Sequence, residues 1–168
     1  MQNDLDTKLL RNVAASGLAR DICGEPPAWD RDPKFRVENL PVDEIAWHCV
    51  LVVADVAVPG SSAKVKAPFI VWMADGNPVS VHAVLERDPT SSIACSLMDA
   101  MTAPVLDGPR RPRLVLMEND RMADALRNAP DDVGHDFAGL IDIAVEPDSD
   151  TAELAQDFVQ IQADAQAD

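Results

Sequence analysis

The chain has 168 residues, of which 47% are hydrophobic and 26% charged, with a mean hydropathy of −0.07 and a formal net charge of −15. These values exclude a low-hydrophobicity disordered polymer and fit one globular domain with a single core. The charge is uneven: 11 of the 29 acids and none of the 14 Lys/Arg fall in residues 128–168, leaving 18 acids against all 14 bases before them, which argues against nonspecific nucleic-acid binding through the C-terminal quarter.

The opening segment MQNDLDTKLL lacks the basic region of an export signal, so a cytoplasmic location is expected. The longest apolar run, Cys49 to Ala54, is far short of the about 20 residues that cross a bilayer, so no membrane span is expected. Leu5, Leu9, Leu10, Val13, Ala14 and Leu18 recur at helical spacing behind Asn3 and Asp4, which predicts an N-terminal amphipathic helix over 1–23. Pro26, Pro27, Pro33 and Pro41 make 24–45 an irregular connection, with a short extended piece expected at Phe35 to Val37.

Residues 46–161 read as one α/β domain, on the α+β borderline, ending in a frayed acidic tail over 162–168. Ala46 to Val58 is a β-branched, apolar run with both faces covered, and a polar turn follows at Gly60 to Lys66. Phe69 to Ala74 and Val79 to Leu85 flank Asp75-Gly76-Asn77-Pro78, a hairpin signal. Asp88 and Pro89 start a helix carrying Ile93, Ala94, Leu97, Met98 and Met101, which Pro104 ends. A strand at Leu114 to Met117, a helix capped by Asn119 or Asp120, and a strand at Leu140 to Val145 follow. A last helix starts on Asp150 and Glu153, a capping-box pair, and runs through Leu154, Phe158 and Ile161. The order α-βββ-α-β-α-β-α predicts a three-layer domain with a mixed sheet, a connectivity that resembles the ribonuclease H-like superfold.

Residues 68–127 carry Ala100-Met101-Thr102-Ala103-Pro104, then Gly108-Pro109-Arg110-Arg111-Pro112, the strand Arg113 to Met117, and Asp120 to Leu126 in the form D-x-x-x-A-x-A-L. With the preceding hairpin, this pattern resembles an uncharacterised family of bacterial domains with no assigned reaction. The resemblance implies a fold and carries over no catalytic residue.

Cys23, Cys49 and Cys95 form no C-x-x-C pair, and His48, His82 and His135 are scattered, so neither a disulfide framework nor a zinc site is indicated. No G-x-S-x-G surrounds Ser61, Ser62, Ser91 or Ser92, and the seven glycines form no phosphate loop, so nucleotide cofactors are not expected. A metal-dependent nuclease would need several carboxylates converging on Mg²⁺ or Mn²⁺; the candidates are Asp55, Asp75, Asp99, Glu118 and Asp120. Against this, Asp88, Asp120 and Asp150 suit helix N-termini, and Arg110, Arg111, Arg113, Arg121 and Arg127 suit turn-stabilising or acid-neutralising roles better than a substrate groove.

The favoured expectation is a noncatalytic binding or regulatory protein without a cofactor. It would present Asp131, Asp132, Asp136, Asp142, Glu146, Asp148, Asp150, Glu153 and Asp157 to a basic or nucleic-acid-binding protein, with Trp29 as a second anchor. A sharper form is imitation of a nucleic-acid backbone by the acidic face, as in small phage or plasmid inhibitors. The alternative is the metal-dependent nuclease, active or degenerate.

Overall fold

The computed structural model of the chain describes residues 36–84, 90–103, 105–129 and 139–166. The helix expected over 1–23, Cys23, Trp29, Phe35, Asp88, Pro89, Asp131, Asp132, His135 and Asp136 lie outside these residues. A 3-10 turn at Val37–Asn39 is followed by β1 (Val42–Asp43), β2 (Trp47–Ala57), β3 (Lys64–Ala74), β4 (Asn77–Ala83) and α1 (Thr90–Met101). Then come β5 (Arg111–Pro112), β6 (Leu114–Met117), α2 (Asp120–Arg127), β7 (Asp142–Val145) and α3 (Ser149–Ala165). Five strands form a mixed sheet in the order β4-β3-β2-β6-β7, and β1 and β5 form a separate parallel pair.

Helices cover both faces of this mixed α/β domain. Trp47 and Cys49 of β2, Ile70 and Trp72 of β3, and Val115 and Met117 of β6 pack under α1 and α2. Val50, Val52, Ala54 and Val56 of β2, with Phe69, Val71 and Met73 of β3, pack under α3. Strand alternation therefore sends both halves of the apolar run at 46–58 into cores, which is why that run is nearly continuous. The Asp75-Gly76 turn pairs Ala74 with Asn77, and both turn residues have positive φ, 49° and 71°, as a two-residue hairpin loop requires. In α1, the expected apolar positions Ile93, Ala94, Leu97, Met98 and Met101 are all buried.

Several boundaries differ from the sequence reading. β3 begins at Lys64 rather than Phe69, because Asp55 pairs with Lys66 and Ala57 with Lys64 across the far end of the β2–β3 hairpin. Alternation leaves those polar side chains exposed, so they are compatible with the ladder. Val37 lies in the 3-10 turn instead of an extended piece and is fully buried. The last helix is capped by Asp148, not Asp150: its carboxylate accepts from the Asp150 and Thr151 N–H groups, and the Thr151 hydroxyl donates to it at 2.6 Å. That helix continues to Ala165, past the expected end of the domain at 161, because Ala163 is buried and Lys64 pairs with Asp164 at 2.9 Å.

The β1–β5 pair was not anticipated. It ties the Pro-rich connection to the turn before β6 through Arg111 N–H to Pro41 C=O at 2.9 Å and Arg113 N–H to Asp43 C=O at 3.0 Å.

Candidate functional site

α3 turns its small side chains inward. Ala155, Val159 and Ala163 are buried against β2 and β3, where Phe69, Val71 and Met73 already fill the space, so small residues let the helix approach closely. The helix runs through Leu154, Phe158 and Ile161 as the sequence predicts; Leu154 is 51% and Ile161 65% exposed, while Phe158 is half-buried and packs partly against the core. Asp150, Glu153, Asp157 and Asp164 are exposed as well. At 100° per residue, Asp150, Leu154, Asp157, Ile161 and Asp164 fall on the side opposite Ala155, Val159 and Ala163. The outer face of α3 is thus acidic with large apolar residues set into it.

One flank of α3 closes an open strand edge. β6 has four residues and pairs with only Trp47, His48 and Cys49, whereas β2 runs on for eight more. Beyond Cys49, the Leu51 N–H donates to Glu118 Oε2 at 3.2 Å. The Gln156 amide bonds both backbone groups of Val53, at 3.3 and 2.7 Å. The Gln160 amide does the same for Asp55, at 2.9 and 3.2 Å. The match is geometric: four helical residues rise about 6 Å, and two strand residues span about 6.7 Å. Gln156→Ala with Gln160→Ala is expected to destabilise the fold by about 1–2 kcal/mol and to promote self-association through the freed edge. Urea unfolding and sedimentation check this; an unchanged midpoint in a monodisperse double variant contradicts it.

At the start of α3, the Thr151 hydroxyl and backbone and then the Asp150 N–H, with His48 nearby, hold the Asp148 carboxyl below the ordinary aspartate range. A depressed carboxyl contributes stability above its unfolded pKa and loses it as pH falls through its folded value. Asp148→Asn keeps a good cap but removes this titration, so its stability near neutrality should stay close to that of the parent while the loss below the aspartate range becomes shallower. Denaturant titrations from neutral to acid pH test it; parallel acid limbs contradict it.

The acidic residues expected to bind a partner divide. Asp150, Glu153 and Asp157 lie on the outer face of α3, Asp148 is occupied as its cap, and Asp142 and Glu146 are exposed at the two ends of β7. The arginines hold acids and carbonyls: Arg110 pairs with Asp43 at 3.3 Å, Arg113 with Glu44 at 3.3 Å and Arg127 with Asp124 at 3.1 Å, while Arg111 donates to the Leu140 carbonyl. Arg127 also donates to the Ile143 carbonyl at 3.0 Å, on the edge strand β7.

The nuclease candidates are dispersed. Asp55 is four residues past Leu51 along β2, about 13 Å from the point that Glu118 reaches. Asp99 lies on α1 beside His82 of β4, with 3.9 Å between Oδ2 and Nδ1, and β4 is three strand spacings, about 14 Å, from β6. Asp75 sits in the hairpin turn, and Asp120 is the first residue of α2 behind its cap Asn119. Among the described residues, no group of three or more His, Cys, Asp or Glu side chains is placed to hold a metal.

Motif reading missed one polar constellation. Ser80 Oγ lies 2.5 Å from His82 Nε2 on β4, and Asp99 faces the other ring nitrogen. His82 is fully buried under α1, so the cluster ties the edge strand to the helix. Cys49 is buried in the core; burial, and after it the nearby Glu118 carboxylate, push its thiol well up. Among the described residues, no helix is long and apolar enough to cross a membrane.

No family model matches the chain, and no curated protein or solved structure is significantly similar to it. What the fold defines is a mixed α/β domain with helices on both sheet faces.

Proposed function

We propose that the protein is a noncatalytic binding domain that engages a positively charged protein surface through the outer face of α3. The observation that carries this reading is the inversion of α3: small residues fill the core contact, while Leu154, Ile161 and four acids face solvent. Two large apolar side chains on one helix face, rimmed by acids, supply the apolar anchors and polar rim of an interface. Charge complementarity then speeds and orients encounter.

Charge density favours a protein partner over imitation of a nucleic acid. Asp150 to Asp164 spans about 21 Å of helix, one exposed carboxylate per about 5 Å, against about one charge per 1.7 Å in a DNA duplex. Lys64 further neutralises Asp164. Titration of the intact chain into a labelled Lys/Arg-rich peptide at low and high salt tests the reading. Binding should weaken steeply with salt, and Asp150→Lys/Glu153→Lys/Asp157→Lys should abolish it; equal binding by this variant contradicts the reading.

The strand order favours a second reading of the scaffold. Numbering the five sheet strands along the chain gives 3-2-1-4-5, with the second antiparallel to its neighbours, which supports the ribonuclease H-like topology. On that scaffold the β2 residue beside Glu118 is Leu51, an apolar side chain, and Asp55 is four residues away. The expected outcome is no Mg²⁺- or Mn²⁺-dependent cleavage of DNA or RNA. Cleavage lost in both Asp55→Ala and Glu118→Ala would reverse this.

A further inference from the structure

We infer that the partner segment is a basic amphipathic helix, carrying apolar residues at heptad spacing flanked by Lys or Arg, that lies along the outer face of α3. This rests on the binding reading above and names the kind of ligand it takes. Leu154, Phe158, Ile161 and Ala165 follow at intervals of four, three and four, the spacing of a helix seam; the first, third and fourth are exposed and Phe158 is half-buried. A seam at this spacing is the geometry that accepts the knobs of a facing helix.

Charge selects among possible occupants. Asp150, Glu153, Asp157 and Asp164 run beside the seam along the length of α3. A second copy of α3 would set these acids against themselves, and an anionic lipid surface would repel them. A helix with Lys or Arg at the flanking positions neutralises the acids while its apolar residues cover Leu154 and Ile161. Leu154 and Ile161 are not among the side chains packed on the core, where the inward contact is made by Ala155, Val159 and Ala163 with Ala152 and one side of Phe158.

The test uses the intact chain and two peptides of identical Lys/Leu composition, one with leucines at heptad spacing and one scrambled, read by fluorescence anisotropy. The patterned peptide should bind more tightly, and Leu154→Ala/Ile161→Ala should weaken it about tenfold while leaving the scrambled peptide's binding unchanged. Circular dichroism of the double variant confirms the retained fold. Equal affinity for both peptides, with no effect of the double variant, overturns the seam and leaves a purely electrostatic surface. Binding of neither peptide overturns the acidic-surface reading, and this inference with it.

Discussion

Trp72→Ala should cost about 3–5 kcal/mol of folding stability. Trp72 is fully buried in the second strand of the sheet, and its indole N–H donates to Ser96 Oγ at 3.0 Å. Ser96, itself fully buried, passes the chain on to the Ile93 carbonyl at 2.9 Å. Truncation therefore leaves a cavity between β3 and α1 and removes a donor from a buried hydroxyl. Domains of this size have about 5–15 kcal/mol to lose, so this is a large fraction of the total. Trp72→Phe keeps most of the volume and should lose markedly less. Urea unfolding followed by far-UV circular dichroism decides; a loss below about 1 kcal/mol in Trp72→Ala contradicts the packing described.

Asp43→Ala is expected to follow, at about 2–3 kcal/mol. One carboxylate serves three groups: the Ile45 N–H at 3.2 Å, the Trp47 indole N–H at 3.2 Å and Arg110 at 3.3 Å. Trp47 is fully buried, so its N–H would be left without its acceptor in a low-dielectric setting. The loss should also be local, because Asp43 is half of the two-residue strand that holds the connection before β2 to the domain. Amide exchange at Arg111 and Arg113, which donate to Pro41 and Asp43, should accelerate more than exchange in β3. Asp43→Asn retains an acceptor and should fall between the two. Uniform acceleration across the sheet would show that the small parallel pair is not a separate unit.

Much of the fold was legible because local signals agreed with burial. β2 reads as a strand covered on both faces because its two alternating sets meet two different helical layers. The Asp75-Gly76 hairpin and the apolar stripe of α1 follow from turn chemistry and period alone. The β1–β5 pair was not legible: two residues that include Pro112, meeting partners about 70 positions away in the chain, carry no periodicity. The cap of α3 was misplaced because Asp148 and Asp150 are equivalent as residue types; the Thr151 hydroxyl at the third helical position decides between them.

The candidate site was legible in charge, while the orientation of its helix was not. The acidic bias singles out Asp150, Glu153 and Asp157, whereas the helical run through Leu154, Phe158 and Ile161 does not by itself say which side of the helix meets the sheet. The facing sheet supplies much of the bulk through Phe69, Val71 and Met73, so the buried α3 contacts are Ala155, Val159 and Ala163, with Ala152 and Phe158 packed partly against the same cluster. The role of Gln156 and Gln160 depends on β6 being shorter than β2, a relation between distant segments that no local pattern carries.

Amide chemical-shift mapping can locate the proposed binding surface on the outer face of α3. On titration of the isotopically labelled chain with the patterned Lys/Leu peptide, shifts should concentrate at Glu153, Leu154, Asp157, Ile161 and Asp164 and spare β4 and the Arg110–Arg113 turn. Shifts centred on β7 or on that turn, with α3 unmoved, would contradict the account.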